Sequence, residues 1–195
     1  MTTLIFATHN PHKVAELRSV LPSTIFLITL TEAGYTEPIA EPYDTLEANA
    51  REKSRVIWEK TGLNCLSEDS GLEVDALAGA PGVHSARYAG EQATAAQNMQ
   101  KLLAAMQHQS NRAARFRTVI SLRWQGKEYF FEGICPGTIT TAPAGEGGFG
   151  YDPVFVPNGA TQTFGQMSLQ QKNQYSHRAK ATASLVAFLK EVIGA

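Results

Sequence analysis

The chain has 195 residues, 43% of them hydrophobic and 18% charged, a balance that excludes intrinsic disorder and fits one domain spanning residues 1–195. Seventeen Lys and Arg against eighteen Asp and Glu leave a net charge of −1, so bulk charge attracts neither nucleic acid nor an anionic membrane, and any phosphate binding must be local. No apolar run is long enough to span a bilayer, and the N-terminus lacks the basic stretch of a signal peptide. The two cysteines, Cys65 and Cys135, are too few for a disulfide framework and have no metal-ligand spacing, which points to a reducing, cytoplasmic setting.

In chain order, residues 3–8 read as a buried strand. Asn10 followed by Pro11 reads as a helix cap with proline at the first helical position, and Val14, Leu17 and Leu21 share a face. Residues 25–29 are a second short strand, and 31–43 an irregular loop. A helix is expected over 44–60, with Asp44 and Glu47 at capping-box spacing and Gly62 as its stop. A strand over 63–67 is expected to end in Glu68-Asp69-Ser70. A helix follows over 94–107, with Met99, Leu102, Leu103 and Met106 along one stripe. Residues 115–124 alternate apolar and polar, Gln125-Gly126 turns, and 128–134 returns, which makes a β-hairpin. A glycine-rich stretch over 145–150 precedes a strand at 154–156 and a short helix at 168–175. A last helix begins near Ser176, with Ala181, Leu185, Phe188 and Val192 at core spacing. Mixed helices and strands around a long hairpin suggest a mixed α/β sheet.

Four segments carry chemistry. Thr8-His9-Asn10-Pro11-His12-Lys13 joins a strand to a helix N-terminus, whose unpaired N–H groups and dipole suit an anion. Its alternative reading is an ordinary capped helix. Glu68-Asp69-Ser70, at the carboxyl end of a strand, offers paired carboxylates to a hard cation such as Mg²⁺, or a base to a water molecule. It could equally be a solvated acidic turn. Gly145-Glu146-Gly147-Gly148-Phe149-Gly150 matches a dinucleotide pattern, but Asp152-Pro153 follows where a helix should open, so the match is rejected. The loop could instead present Phe149 and Tyr151 to a base. Lys172 and the triplet Ser176-His177-Arg178 put basic residues at a helix start, against the dipole, which hints at a ligand. No P-loop, G-x-S-x-G or H-E-x-x-H motif is present.

Together these segments resemble the inosine triphosphate pyrophosphatase family, the dITP/XTP pyrophosphatases. The resemblance is carried by residues 7–13, Glu-Ala-Asn-Ala-Arg-Glu-Lys at 47–53, Ser-Glu-Asp-Ser-Gly-Leu-Glu-Val-Asp-Ala-Leu at 67–77, and Gly-Ala-Pro-Gly-Val-His-Ser-Ala-Arg-Tyr-Ala-Gly at 79–90. Gly-Gly-Phe-Gly-Tyr-Asp-Pro-Val-Phe at 147–155 and Ser-His-Arg at 176–178 complete the set, in family order along the chain. The resemblance implies a twisted mixed β-sheet with flanking helices, two lobes around a central cleft, a homodimer, and Mg²⁺-dependent cleavage of deaminated purine triphosphates to monophosphate and pyrophosphate. It implies that Thr8, Asn10, Lys13 and Lys53 bind the phosphate chain, and that Glu41 and Asp69 hold Mg²⁺, with Asp69 also the general base. Ser70 would contact substrate. Phe149, with Gly150, Tyr151 and Asp152 beside it, would stack on the base, and Lys172, His177 and Arg178 would read the purine edge. Two other readings remain open at this stage: a nucleotidase for other modified bases, and a nucleotide-binding protein without turnover.

Overall fold

The computed structural model describes residues 2–194, except for the side chain of His12, which lies outside the described part of the first motif. Among the described residues, seven strands form one mixed sheet. They are β1 (Thr2–Phe6), β2 (Ile25–Thr29), β3 (Cys65–Val74), β4 (Pro81–Gly82), β5 (Ala113–Trp124), β6 (Lys127–Ile139) and β7 (Phe155–Pro157). Their order is β2-β1-β3-β5-β6-β7, with β4 beside β3. β1 runs parallel to β2, with Thr2 opposite Ile25 and Phe6 opposite Thr29, and parallel to β3 through Ile5–Cys65 and Phe6–Leu66. β3 pairs antiparallel with β4, and β6 with β7. Five α-helices among the described residues accompany the sheet: α1 (Pro11–Arg18), α2 (Leu46–Thr61), α3 (Ala95–Ala105), α4 (Leu169–Asn173) and α5 (His177–Ile193). Among the described residues no helix is long and apolar enough to cross a membrane.

The chain divides into two compact units. One holds the residues up to Asp69, Val119–Glu132 and those from Ala181 on; the other holds Ser70–Thr118 and Gly133–Lys180. In the first, Leu4, Phe6, Leu27 and Leu66 pack with Val14 and Leu17 of α1, Ile120, Leu122 and Trp124 of β5, and Ala181, Leu185 and Leu189 of α5. A neighbouring cluster joins Ile5, Cys65 and Ile57 of α2. In the second, Leu72, Val74, Leu102, Met106, Phe116, Cys135, Ile139, Phe155 and Phe164 form the core.

Local chemistry sets the ends of the elements. The side chain of Asn10 accepts from the Lys13 N–H at 3.4 Å, so α1 is capped as expected, although it stops at Arg18 rather than near Leu21. Helix α2 starts one residue later than the expected box: Thr45, not Asp44, is the cap, accepting from the Ala48 N–H at 3.2 Å. Gly62 closes α2 at φ 66°, a left-handed conformation that glycine adopts without steric cost. Gln125 and Gly126 both have positive φ, 50° and 77°, the backbone of a two-residue hairpin turn between β5 and β6. On α5 the fourth core position is Leu189 rather than Val192, which is exposed.

The largest departure is β3. The expected strand ended at Ser67; the observed one continues through Glu68, Asp69 and Ser70 to Val74. Glu68 and Asp69 are buried, which removes the solvated-turn reading. Polar residues remain inside a strand because tertiary partners satisfy them. The Ser67 hydroxyl donates to the Ala50 carbonyl, and Ser70 Oγ lies 2.8 Å from Thr118 Oγ1.

Candidate active site

The first unit gathers the phosphate-type residues. β1 and β3 are parallel neighbours whose pairing ends at Phe6 and Leu66, so the chain segments after each leave from the same end. One segment is Thr8–Lys13, in which the Thr8 hydroxyl accepts from the Asn10 N–H at 3.1 Å and Asn10 caps α1. The other is Glu68-Asp69. Lys13 Nζ lies 3.3 Å from Glu68 Oε1, which joins the two segments.

Lys53 rises from the buried face of α2 into the same unit. Its ammonium donates to the Glu41 carboxylate and, at 2.9 Å, to the Glu68 carbonyl, and it stands 3.5 Å from Asp69 Oδ1. Glu41 and Asp69 therefore converge on one cation. Lys53 is only 8% exposed, so its charge depends on these oxygens. Glu41 is held there although it sits in the irregular loop, because Asn49 of α2 grips the loop backbone at Tyr43. Asp44 is exposed in the same loop.

The second unit gathers the base-type residues. Asp152 is buried and accepts twice at Oδ2, from the Phe149 N–H at 2.8 Å and from Lys172 Nζ at 2.7 Å. Lys172 Nζ also lies 4.8 Å from the centre of the Phe149 ring and 5.4 Å from that of Phe164. The Arg178 guanidinium stands 5.4 Å from the Phe149 ring. Phe149 is 39% exposed, an accessible aromatic face bordered by two cations. His177 and Arg178 are buried at the start of α5, and the His177 ring stacks on Phe116 with centroids 4.8 Å apart.

Of the expected site residues, Phe149, Asp152, Lys172 and Arg178 form one cluster, and His177 adjoins Arg178 in sequence but faces Phe116. Gly150 supplies a positive φ of 62° in the turn after Phe149. Tyr151 is buried beside them with its hydroxyl donating to the Ser85 carbonyl at 2.8 Å, and burial pushes its pKa well above the ordinary range. Buried in this way, it presents no open face to a base. Ser70 is tied to Thr118.

Asn49, Phe116 and Thr118 are partners the sequence reading did not single out. Asn49 left a signal, a polar residue one turn before Lys53 on a helix face otherwise marked by Leu46, Ala50 and Ile57, and Phe116 lies on the apolar face of the alternating stretch 115–124.

A family model described as the Ham1 family matches residues 4–188. A dITP/XTP pyrophosphatase of Flavobacterium johnsoniae is 47% identical over 186 residues, covering 95% of this chain and 97% of that one. One from Porphyromonas gingivalis is 50% identical over 190 residues, covering 97% and 98%. Among solved structures, a HAM1 protein from Coxiella burnetii superposes with a TM-score of 0.93 at 38% identity, covering 98% of this chain and all of that one. A nucleoside-triphosphatase / dITP/XTP pyrophosphatase from Mycobacterium abscessus gives 0.81 at 40% identity, covering 95% and 99%. Identity at this level over nearly the whole length, on the same fold, leaves one assignment: the chain belongs to the Ham1 family.

Proposed function

We propose that the protein hydrolyses deaminated purine nucleoside triphosphates, dITP, XTP and ITP, to the monophosphate and pyrophosphate, and so clears them from the nucleotide pool. The observation that carries this reading is the convergence of Glu41 and Asp69 on Lys53, with Lys13 and the capped start of α1 in the same unit. Two lysines and a helix N-terminus offset part of a triphosphate's charge, and phosphoryl transfer needs positioning and charge neutralisation more than covalent chemistry. The names carried by the relatives support the same activity.

Among the described residues no group of three His, Cys, Asp or Glu side chains could hold a metal unaided. Mg²⁺ does not need one: it binds through one or two carboxylates and completes its shell with phosphate oxygens and water. The hard oxygen donors Glu41 and Asp69 fit that demand. Mg²⁺, when bound, supplies charge neutralisation and polarises the reacting phosphoryl group.

The chain's own residues do the rest. Thr8, Asn10, Lys13 and Lys53 bind the phosphate chain, and Ser70 contacts the substrate. Asp69 takes the proton of a water whose oxygen bonds to the α-phosphorus. The bridging α–β P–O bond breaks and its electron pair leaves with pyrophosphate. Phe149 stacks on the purine, with Gly150, Tyr151 and Asp152 shaping its loop. Lys172, His177 and Arg178 address the purine edge. An N–H donor aimed at the 6-oxo group is left unpaired by adenine's amino group, a penalty of about 1–3 kcal/mol. The chain acts as a single catalytic domain, works as a cytoplasmic homodimer, and takes no nucleic acid or membrane partner.

The test is a panel of dITP, ITP, XTP, ATP, GTP and modified pyrimidine triphosphates at equal concentration with Mg²⁺. Pyrophosphate release from the first three, far faster than from the others, is expected. Orthophosphate as the product would overturn the cleavage position.

A further inference from the structure

Asn49 makes an uncommon pair of bonds. Its side-chain amide accepts from the Tyr43 N–H at 2.9 Å and donates to the Tyr43 carbonyl at 2.9 Å. A single buried side chain thus satisfies both backbone groups of a loop residue, as a neighbouring strand would. The segment from 35 to 45 contains no helix or strand of its own, and Glu41 lies two residues before the gripped peptide. One turn further along α2, Lys53 holds the Glu41 carboxylate itself. Helix α2 therefore fixes the loop at two points, at the backbone through Asn49 and at the carboxylate through Lys53.

We propose that Asn49 is a positioning residue that pre-sets the Glu41 carboxylate for the divalent cation. The inference rests on the reading of Glu41 as a metal ligand. Lys53 cannot do this work alone, because its bond to Glu41 competes with the cation for the same carboxylate, whereas the bonds from Asn49 to Tyr43 involve no metal-binding oxygen and persist when the cation arrives. Without Asn49 the Tyr43 peptide loses both of its bonds to α2, and part of the ordering of the Glu41 segment is then set against metal binding.

The experiment is a double-mutant cycle of Asn49→Ala and Glu41→Gln. The readouts are the Mg²⁺ half-saturation of dITP turnover and the binding of Mn²⁺ alone, followed by water-proton relaxation without nucleotide. Asn49→Ala should raise the Mg²⁺ half-saturation and weaken Mn²⁺ binding about tenfold, the usual effect of removing a group that orients a ligand. At saturating Mg²⁺ its kcat should approach that of the parent chain. In the Glu41→Gln background the same substitution should add nothing, because the group it positions is no longer a carboxylate. Asn49→Asp, which keeps the size and the acceptor but loses the donor to the Tyr43 carbonyl, provides the second variant should Asn49→Ala not fold, and should shift both readouts in the same direction. A metal shift equally large in both backgrounds, or absent in Asn49→Ala and Asn49→Asp alike, overturns the proposal. Glu41→Gln without any metal shift overturns the ligand reading itself, and the proposal with it.

Discussion

The ammonium of Lys172 lies 2.7 Å from Oδ2 of Asp152, and both side chains are almost wholly enclosed. The same carboxylate oxygen accepts the Phe149 N–H, so one buried charge pair sets both a cation and the loop that carries the exposed aromatic ring. Removing one partner strands the other charge in a low-dielectric interior. Asp152→Ala should therefore destabilise the protein by about 3–5 kcal/mol. The double variant Asp152→Ala with Lys172→Met should recover much of that loss. Urea unfolding of the parent protein and the two variants measures both; a double variant no more stable than Asp152→Ala would mean that the charge pair is not the source.

Gly148 sits at φ 73° with a Cβ position that collides with the Asp152 side chain, whereas Gly150 sits at φ 62° with nothing within 4 Å of its Cβ position. Both substitutions to alanine bear the backbone cost of a positive φ, about 1–3 kcal/mol. Only Gly148→Ala also displaces Asp152. It should be the more destabilising of the two and should raise KM for dITP more, as read by thermal unfolding and steady-state kinetics on the pair.

Asp69→Asn keeps the size of the side chain and an oxygen toward Lys53 but removes the base. Turnover of dITP should fall at least ~10²-fold, the low end for loss of a general base. Circular dichroism should be unchanged. Retained activity would take the proton-accepting role away from Asp69.

Burial pushes the Cys65 thiol from 9.0 up to about 12 and the Cys135 thiol up to about 11. The unfolded chain loses these protons near pH 9 and the folded protein keeps them, so the unfolded state binds fewer protons between the two values. Stability is therefore fully present below pH 9 and falls as pH rises toward 11 and 12, by about 1.4 kcal/mol per unit for each thiol at most. Urea unfolding from pH 8 to 10.5 measures the slope, and a Cys65→Ala, Cys135→Ala variant should flatten it. At neutral pH neither thiol should react with iodoacetamide in the folded protein.

Much of this arrangement is legible in one dimension because it depends on short-range chemistry. The Asn10 cap, the Gly62 stop, the Gln125-Gly126 turn and the strand Ile25–Thr29 follow from neighbours within a few residues. The cap of α2 was misplaced by one residue because Asp44 and Thr45 have similar local merit, and only the bond from the Ala48 N–H selects Thr45. Val192 satisfies the helical spacing, yet Leu189 is the buried residue, because the width of the core stripe on α5 depends on what packs against it.

By itself the sequence determined most of the element types, the cap at the head of α1, and the residue types proposed to meet a nucleotide, since propensity, capping and motif order are local properties. Only the tertiary structure decided that Glu68-Asp69-Ser70 lies within a strand, that Glu41 reaches Lys53, and that Asn49 holds the loop between them. The physical reason is that a buried polar group is tolerable only where a partner meets it, and those partners come from distant parts of the chain: Ala50 for Ser67, Thr118 for Ser70, Lys53 for Asp69.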